Sequence, residues 1–546
     1  MEPLTTLAPM RSARGGHRRS GRFRHPWTSA AVGICAVIIG LVTSSCAVGP
    51  DTGPGLVPAG EGGGGQSAPP SSAAPQIPAL QTPRNDLDWK DCGTRVAADY
   101  ATSAPGGVTI ECASLPSPID PDRPGDTIDV ALTRARISST PADAPPLVLT
   151  SGSDLPSSRT LLLLAGGAGK KLLASNPVVA VDRRGIQQSG ALDCLTRDER
   201  QTIQNNGLTS GSPETPARLT RLSAAASTAS DGCTETLTPN QLHFGISYAA
   251  SDLESLRKRW GVDRLGLIGV GEGSDVVIAY AAQYGGRTGR MILDTPTPFG
   301  ANARDTGASK ATGVQAALRT FAQRCASLPS CAFGANGTQT MQSVLDKGRD
   351  GRLGALSDTD ALAAITTALA LAPNDADGID SVASAIESAD NGDTRALAGF
   401  AADATSLRTS DGQIVAACND VSGPIGQNEI PGLATTWSKQ NPLTGTNTAL
   451  SLGRCLGWAS TPTVNPPNSY PVPPLLLNGS GDPINGGDGI ATVTTVLTKA
   501  GAESVSVTWD GLGYSVLARS DCAADAVADY VRQAPLSGPS ERGCPA

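Results

Sequence analysis

Between Leu265 and Gly273 the chain reads Leu-Gly-Leu-Ile-Gly-Val-Gly-Glu-Gly, an apolar run that ends in alternating glycines. The spacing is that of GxSxG, a nucleophile elbow: a sharp strand-to-helix turn whose strained central residue projects a hydroxyl for attack on a carbonyl carbon. Here the central residue is Gly271. Glycine takes up such a turn easily but brings no nucleophile. Ser274 lies one position beyond the motif, in the first turn of the expected helix, where its hydroxyl suits capping of backbone N–H groups and not the apex. Glu272 is the ionisable group inside the motif. Its charge would oppose a developing oxyanion, although paired with another carboxylate it could activate water. Of three histidines, His17 and His25 lie near the start of the chain and only His243 lies further on; it is read as a surface or helix-start residue. With no CxxC pair and so little histidine, neither a metal nor a cofactor is expected.

The elements that must hold this turn are legible as short apolar runs bounded by Gly, Pro and Asp. Ile128 to Leu132, Thr160 to Leu164, Pro177 to Val181, Leu265 to Val270 and Met291 to Leu293 read as buried strands. Ala249, Leu253, Leu256 and Trp260 share one helical face, and so do Val277, Ala281 and Tyr284 before Gly285-Gly286. Alternating strands and helices predict a mainly parallel sheet covered on both faces. From about Gly300 to Ser460 the texture becomes Ala-rich and amphipathic without strand alternation, which predicts an inserted helical cap. Strand and helix signals resume at Pro473 to Pro483, Ile490 to Ala500 and Ser504 to Trp509.

The net charge of -8 over 546 residues argues against nucleic-acid binding. Arg11, Arg14, Arg18, Arg19, Arg22 and Arg24 precede a nearly uncharged run from Trp27 to Val48, the layout of a secretory signal. Its end, Thr43-Ser-Ser-Cys46, resembles a bacterial lipobox in which Cys46 would be acylated after cleavage; an uncleaved membrane anchor is the alternative. Val48 to Asn85 has too few large apolar groups to offset ordering entropy, so a flexible stalk is expected. Ten cysteines follow: Cys92, Cys112, Cys194, Cys233, Cys325, Cys331, Cys418, Cys455, Cys522 and Cys544. An even number in an exported domain suits disulfides, although ten allow roughly 900 pairings. Short loops favour Cys92–Cys112, Cys325–Cys331 and Cys522–Cys544, which leaves Cys194–Cys233 and Cys418–Cys455.

Further motifs fall in a recognisable order. Ala165-Gly-Gly-Ala-Gly169 follows the run Leu161 to Leu164. Asp182-Arg-Arg184-Gly185 with Ser189 approximates DPRGxGxS, and Asp252 to Arg257 precedes the elbow; Asn478-Gly-Ser-Gly-Asp482-Pro and Asp510-Gly-Leu-Gly-Tyr514 close the chain. The whole resembles the α/β-hydrolase superfamily, and within it the secreted tripeptidyl-aminopeptidase-like branch, from about Trp89 to the C-terminus. That resemblance implies an oxyanion loop at Gly166, Gly167 and Ala168 beside Glu272. It also implies triad positions occupied by Gly271, Asp482 and Tyr514 where serine, acid and histidine would stand. A phenol titrating near 10 is no base at neutral pH. Asp182 and Arg184 are expected to form a structural turn and ion pair.

These readings imply an α/β-hydrolase fold divided as signal and lipobox (1–46), linker (47–85), first part of the core (86–300), helical cap (301–465) and last part of the core (466–546). They imply an exported, membrane-tethered protein of degenerate triad, serving to bind a peptide-like ligand or an envelope protein. An active hydrolase with a rearranged site, and a structural lipoprotein docking a partner through its cap, are the alternatives.

Overall fold

A computed structural model describes residues 78–209 and 212–546. Cys46 and the expected stalk up to residue 77 lie outside the described residues. Ten strands form one sheet: β1 (Lys90–Asp91), β2 (Thr109–Pro118), β3 (Thr127–Arg136), β4 (Leu147–Thr150), β5 (Val178–Val181), β6 (Leu265–Val270), β7 (Thr288–Asp294), β8 (Leu475–Gly481), β9 (Val505–Leu512) and β10 (Glu541–Cys544). Their order across the sheet is β1-β2-β3-β5-β4-β6-β7-β8-β9-β10. The pairs β1–β2, β2–β3 and β3–β5 are antiparallel, and every pair from β5–β4 to β9–β10 is parallel. This is an α/β-hydrolase sheet, with the Gly271 turn following its central strand β6.

Parallel strands need cover on both faces, and every residue of β4, β5, β6 and β7 is buried, the apolar runs Leu147 to Leu149, Val178 to Val181, Leu265 to Val270 and Met291 to Leu293 supplying most of it. On one face Leu161, Leu164, Val527 and Tyr530 pack from the helices Ser157–Gly166 and Asp521–Gln533. On the other, Leu253, Leu256 and Trp260 of Ile246–Trp260 pack beside Val277 and Tyr280 of Gly273–Tyr284. Between β7 and β8 the chain makes eight α-helices, from Ala303–Ser327 to Gly445–Ser451, with a core of their own around Phe321, Ile365, Val382 and Leu397. No helix among the described residues is long and apolar enough to cross a membrane.

Two expectations change. Thr160 to Leu164 is not a strand: it lies in the fully covered helix Ser157–Gly166, while the strand before it is β4. A short apolar run buried on all sides has no periodicity to separate helix from strand, and tertiary packing decides. Residues 78–85, expected within the stalk, are instead packed on the core. The backbone of Arg84 donates to the Trp260 carbonyl, Gln81 bonds Asp263, and Arg290 donates to the Pro78 carbonyl, while Leu80 packs on the core.

The cysteines pair as Cys92–Cys112, Cys194–Cys233, Cys325–Cys331, Cys418–Cys455 and Cys522–Cys544. The first ties β2 back to the segment entering the sheet, and the last ties the C-terminal helix to edge strand β10. Each shortens the unfolded chain's reach, an effect typically worth about 2–4 kcal/mol per bridge.

Candidate functional site

Strand β6 delivers Gly271 to the turn at φ +55°, a left-handed conformation that side chains rarely adopt. Its N–H donates to the Asp294 carbonyl at 2.9 Å, and its carbonyl accepts from Ser274 N–H at 3.0 Å, so the elbow is fully formed. Ser274 is buried and its hydroxyl donates back to the Gly269 carbonyl at 3.0 Å, so it points away from the apex.

The space a serine side chain would enter is occupied. A Cβ placed on Gly271 would overlap the Asp154 carboxylate and the Asn485 amide. Asp154 comes from the loop Ser151-Gly-Ser-Asp154 that follows β4, and this loop, not Gly166 to Ala168, lies against the elbow. Gly152 permits the approach: at φ +60°, a Cβ there would stand 2.7 Å from the Glu272 backbone. Gly166, Gly167 and Ala168 instead end the helix Ser157–Gly166 and begin a 3-10 turn, with Gly167 against the Ala518 carbonyl. The displacement follows from the misread strand: an oxyanion loop must leave the strand next to β6, and that strand is β4.

Asp154 Oδ2 accepts the Glu272 N–H at 3.0 Å and the Asn485 amide at 2.8 Å. In α/β-hydrolases the N–H of the residue after the nucleophile is an oxyanion-hole donor; here a carboxylate of the same chain receives it. Asp154 is 4 % exposed, and burial, reinforced by the Glu272 charge, pushes its pKa up to about 7. Glu272 is half-buried and accepts the Ser153 hydroxyl at 2.6 Å. Sequence reading missed Asp154, although a turn-forming Ser-Gly-Ser-Asp after the run Leu147 to Thr150 was the signal that could have found it.

Asp482 and Tyr514 do converge on this point. Asp482 follows β8, is wholly buried, and accepts the N–H groups of Ile484 and Asn485 at 2.7 and 3.1 Å through Oδ1. Burial pushes its carboxyl up to about 6. Tyr514 follows β9 and is wholly buried, its hydroxyl 3.5 Å from Asp154 Oδ2 and from the Val270 carbonyl. Burial, and then the Asp154 charge, hold the phenol well above its usual range. Asp294, at the end of β7, fastens the loop carrying Tyr514 by accepting from the Ser515 hydroxyl and the N–H groups of Val516 and Leu517 at 2.7–3.0 Å.

The other sequence candidates have structural partners. Asp182 accepts the Ser158 N–H and hydroxyl at 2.9 and 2.8 Å. Arg184 pairs not with Asp182 but with buried Asp252, at 2.8 and 2.5 Å, which locks the β5 turn to the helix before the elbow. His243 is buried, with its ring 4.5 Å from Tyr248 and its backbone carbonyl accepting from Arg184; burial lowers its pKa. Of the surface or helix-start role expected, the buried ring excludes the surface, and the residue stands just before the helix Ile246–Trp260 at the Arg184 turn.

Between sheet and inserted helices a cleft of about 260 Å³ opens, lined by Glu272, Asp275, Arg183, Lys310, Phe299 and Asp420 among others. Gly271, Asp154, Asp482 and Tyr514 do not line it, whereas Glu272, next to the apex, does. Arg183 spans the junction, donating to Asp420 at 2.6 Å and to the Ser153 hydroxyl at 3.3 Å. Burial, aided by the neighbouring carboxylates, pushes Asp275 up to about 8. Among the described residues no group of three His, Cys, Asp or Glu side chains is disposed to hold a metal.

Residues 441–541, which carry Asp482 and Tyr514, match the family described as TAP-like protein. The chain is 25 % identical over 259 residues to serine protease Hip1 of Mycobacterium tuberculosis, covering 47 % of this chain and 48 % of that protein. It is 24 % identical over 283 residues to carboxylesterase B of the same species, covering 50 % and 53 %. The chain therefore spans about half the length of the curated relatives it matches. Among solved structures it aligns with the esterase RhEst1 from Rhodococcus sp. ECU1013 at 15 % identity and TM-score 0.36, covering 77 % of this chain and 98 % of that one.

Proposed function

We propose that this chain, a TAP-like protein of the α/β-hydrolase fold, is a non-catalytic binding protein, exported and tethered to the cell envelope through Cys46 or an N-terminal anchor. The observation that carries the reading is the Asp154 carboxylate seated where a serine side chain would stand and accepting the Glu272 N–H. Acyl transfer needs a nucleophile, a base and an oxyanion-hole donor free to receive the developing charge. Gly271 supplies no nucleophile, buried Tyr514 holds its proton, and the donor is satisfied by a carboxylate that would repel an oxyanion. The working surface is then the cleft beside Glu272, between the core and the inserted helices, with a peptide-like ligand or an envelope protein as its occupant.

The full chain, purified from membranes, is expected to give no turnover of N-terminal tripeptide chromogenic substrates and no labelling by a fluorophosphonate probe. Turnover or labelling that survives boiling controls and disappears in a variant of the elbow would overturn the proposal. A second reading is favoured by one observation, the neutral-range Asp154 carboxyl beside Glu272: a carboxylate pair activating water. It predicts turnover that is insensitive to fluorophosphonate and lost in Glu272→Gln.

A further inference from the structure

Beside the cleft a second, partly open cavity of about 220 Å³ is bordered by the inserted helices, by Gln204 and Asn206, and by Pro483 and Ile484 of the acid loop. Three basic side chains line it: Lys310 from the helix Ala303–Ser327, Arg408 at the end of Arg395–Arg408, and Arg454 from the 3-10 turn Leu452–Cys455. Among the described residues none of the three has a carboxylate oxygen within 4.0 Å. Arg408 donates to the Thr366 and Thr367 hydroxyls at 3.4 and 3.1 Å, and Arg454 to the Asn206 side-chain oxygen and the Gln204 carbonyl at 2.8 and 3.3 Å. Lys310 has no side-chain hydrogen bond among the described residues.

Several buried arginines of this protein face a carboxylate, whereas buried Arg290 bonds only backbone carbonyls. Arg184 has Asp252, Arg218 has Asp358 at 2.8 Å and Arg183 has Asp420. Lys310, Arg408 and Arg454 are each only partly buried, and three cations facing one cavity in a chain of net charge -8 make it a place where an anion would bind favourably. The acid at the wall, Asp360, is engaged by the N–H and hydroxyl of Ser357, closing its own helix. Burial and the neighbouring Arg408 and Arg218 charges push Arg454 down to about 10, against the opposing charge of Asp360.

We propose that this cavity is an anion site that takes the phosphoryl group of a small phosphate ester, held by Arg408, Arg454 and Lys310. Two guanidinium forks and an ammonium suit a dianion with three acceptor oxygens. A lone carboxylate would leave two cations uncompensated. Thr444, Thr448 and Ser451 line the same space. Lys310, Thr448 and Ser451 also line the cleft beside Glu272, so the ester's remaining atoms have a way out toward it. The site stands whether or not the elbow is inert. A free phosphate ester and a phospholipid headgroup offer the same group.

The test uses the full chain in detergent. Inorganic phosphate and glycerol 3-phosphate are titrated calorimetrically and by thermal melt against chloride at matched ionic strength; in parallel, vesicles of phosphatidic acid are compared with phosphatidylcholine. Saturable binding is expected for at least one phosphate source, weakened at least tenfold in Arg408→Gln and in Lys310→Gln. Because neither side chain has an ionic partner, both variants are expected to melt at or above the wild-type temperature without ligand, which separates lost binding from lost folding. Saturation by the soluble esters alone assigns a free ester, and by phosphatidic acid alone a headgroup. No saturable response from any source, a response equalled by chloride, or unchanged affinity in both variants overturns the site.

Discussion

Restoring a serine at the elbow is the perturbation that most directly probes this core. In Gly271→Ser the new Cβ meets two penalties. At φ +55° an L-residue costs about 1–2 kcal/mol relative to glycine. The Cβ and hydroxyl also run into Asp154 Oδ2 and the Asn485 amide, and forcing atoms into a packed core costs about 1–3 kcal/mol. Together the substitution should destabilise by about 2–5 kcal/mol. A domain of this size unfolds with an entropy of about 1 kcal/mol/K, so Tm falls by about 2–5 °C. Removing the obstacle tests the cause. In an Asp154→Gly background Asn485 loses its partner and can swing aside, so Gly271→Ser should cost only its backbone strain. The double-mutant cycle then gives a coupling of about 1–3 kcal/mol. Calorimetry or denaturant melts of the four proteins, with fluorophosphonate labelling alongside, make the measurement. A single variant as stable as the parent, or additive costs, would refute the clash; labelling of Gly271→Ser would refute the assignment of Tyr514 as an ineffective base.

Three other outcomes follow from the buried charges and bridges. Burial pushes the Asp154 and Asp275 carboxyls up to about 7 and 8 in the fold, against an ordinary 3.8, so between those values the folded chain holds protons that the unfolded chain has released; their contribution to stability is full below about pH 4 and is lost as pH rises through the folded values. Each group contributes a slope of about 1.4 kcal/mol per pH unit while it differs between the states, and Asp154→Asn should flatten melts taken from pH 5 to 7; an unchanged slope would contradict the burial argument. Asp252→Ala, which strands the Arg184 guanidinium in the interior, should cost about 3–5 kcal/mol by denaturant titration, whereas Arg184→Met with Asp252→Leu should cost much less; equal losses would show that the pair itself stabilises. Cys522→Ser with Cys544→Ser should lower stability by about 2–4 kcal/mol and raise amide exchange in β10 before the central strands; uniform protection would place β10 in the same cooperative unit as the core.

Much of the architecture was legible because local composition and burial agree. β5 and β6 are continuous apolar runs between turn residues, β7 carries one at Met291 to Leu293, and the face Ala249, Leu253, Leu256 and Trp260 can pack only as a helix. Gly271 at the elbow, and the placing of Asp482 after β8 and Tyr514 after β9, follow from chain order alone, since each sits at the end of a strand recognisable by itself. What chain order could not supply is the partner of Gly271. Leu161 to Leu164 is as apolar as β4, and only the packing of helix Ser157–Gly166 against the sheet separates the two; the loop that reaches the elbow follows from that choice.

The sequence by itself determined that the elbow carries glycine, that no histidine follows β9, and that ten cysteines are available to pair. The tertiary structure decided that Asp154 fills the vacated position, that Arg184 answers to Asp252, and that Lys310, Arg408 and Arg454 share one cavity. The physical reason is the range of the forces. Backbone strain and apolar periodicity act within a few residues and leave their mark on composition, whereas overlap and uncompensated charge arise between side chains far apart in the chain, and exist only once the sheet has brought them together.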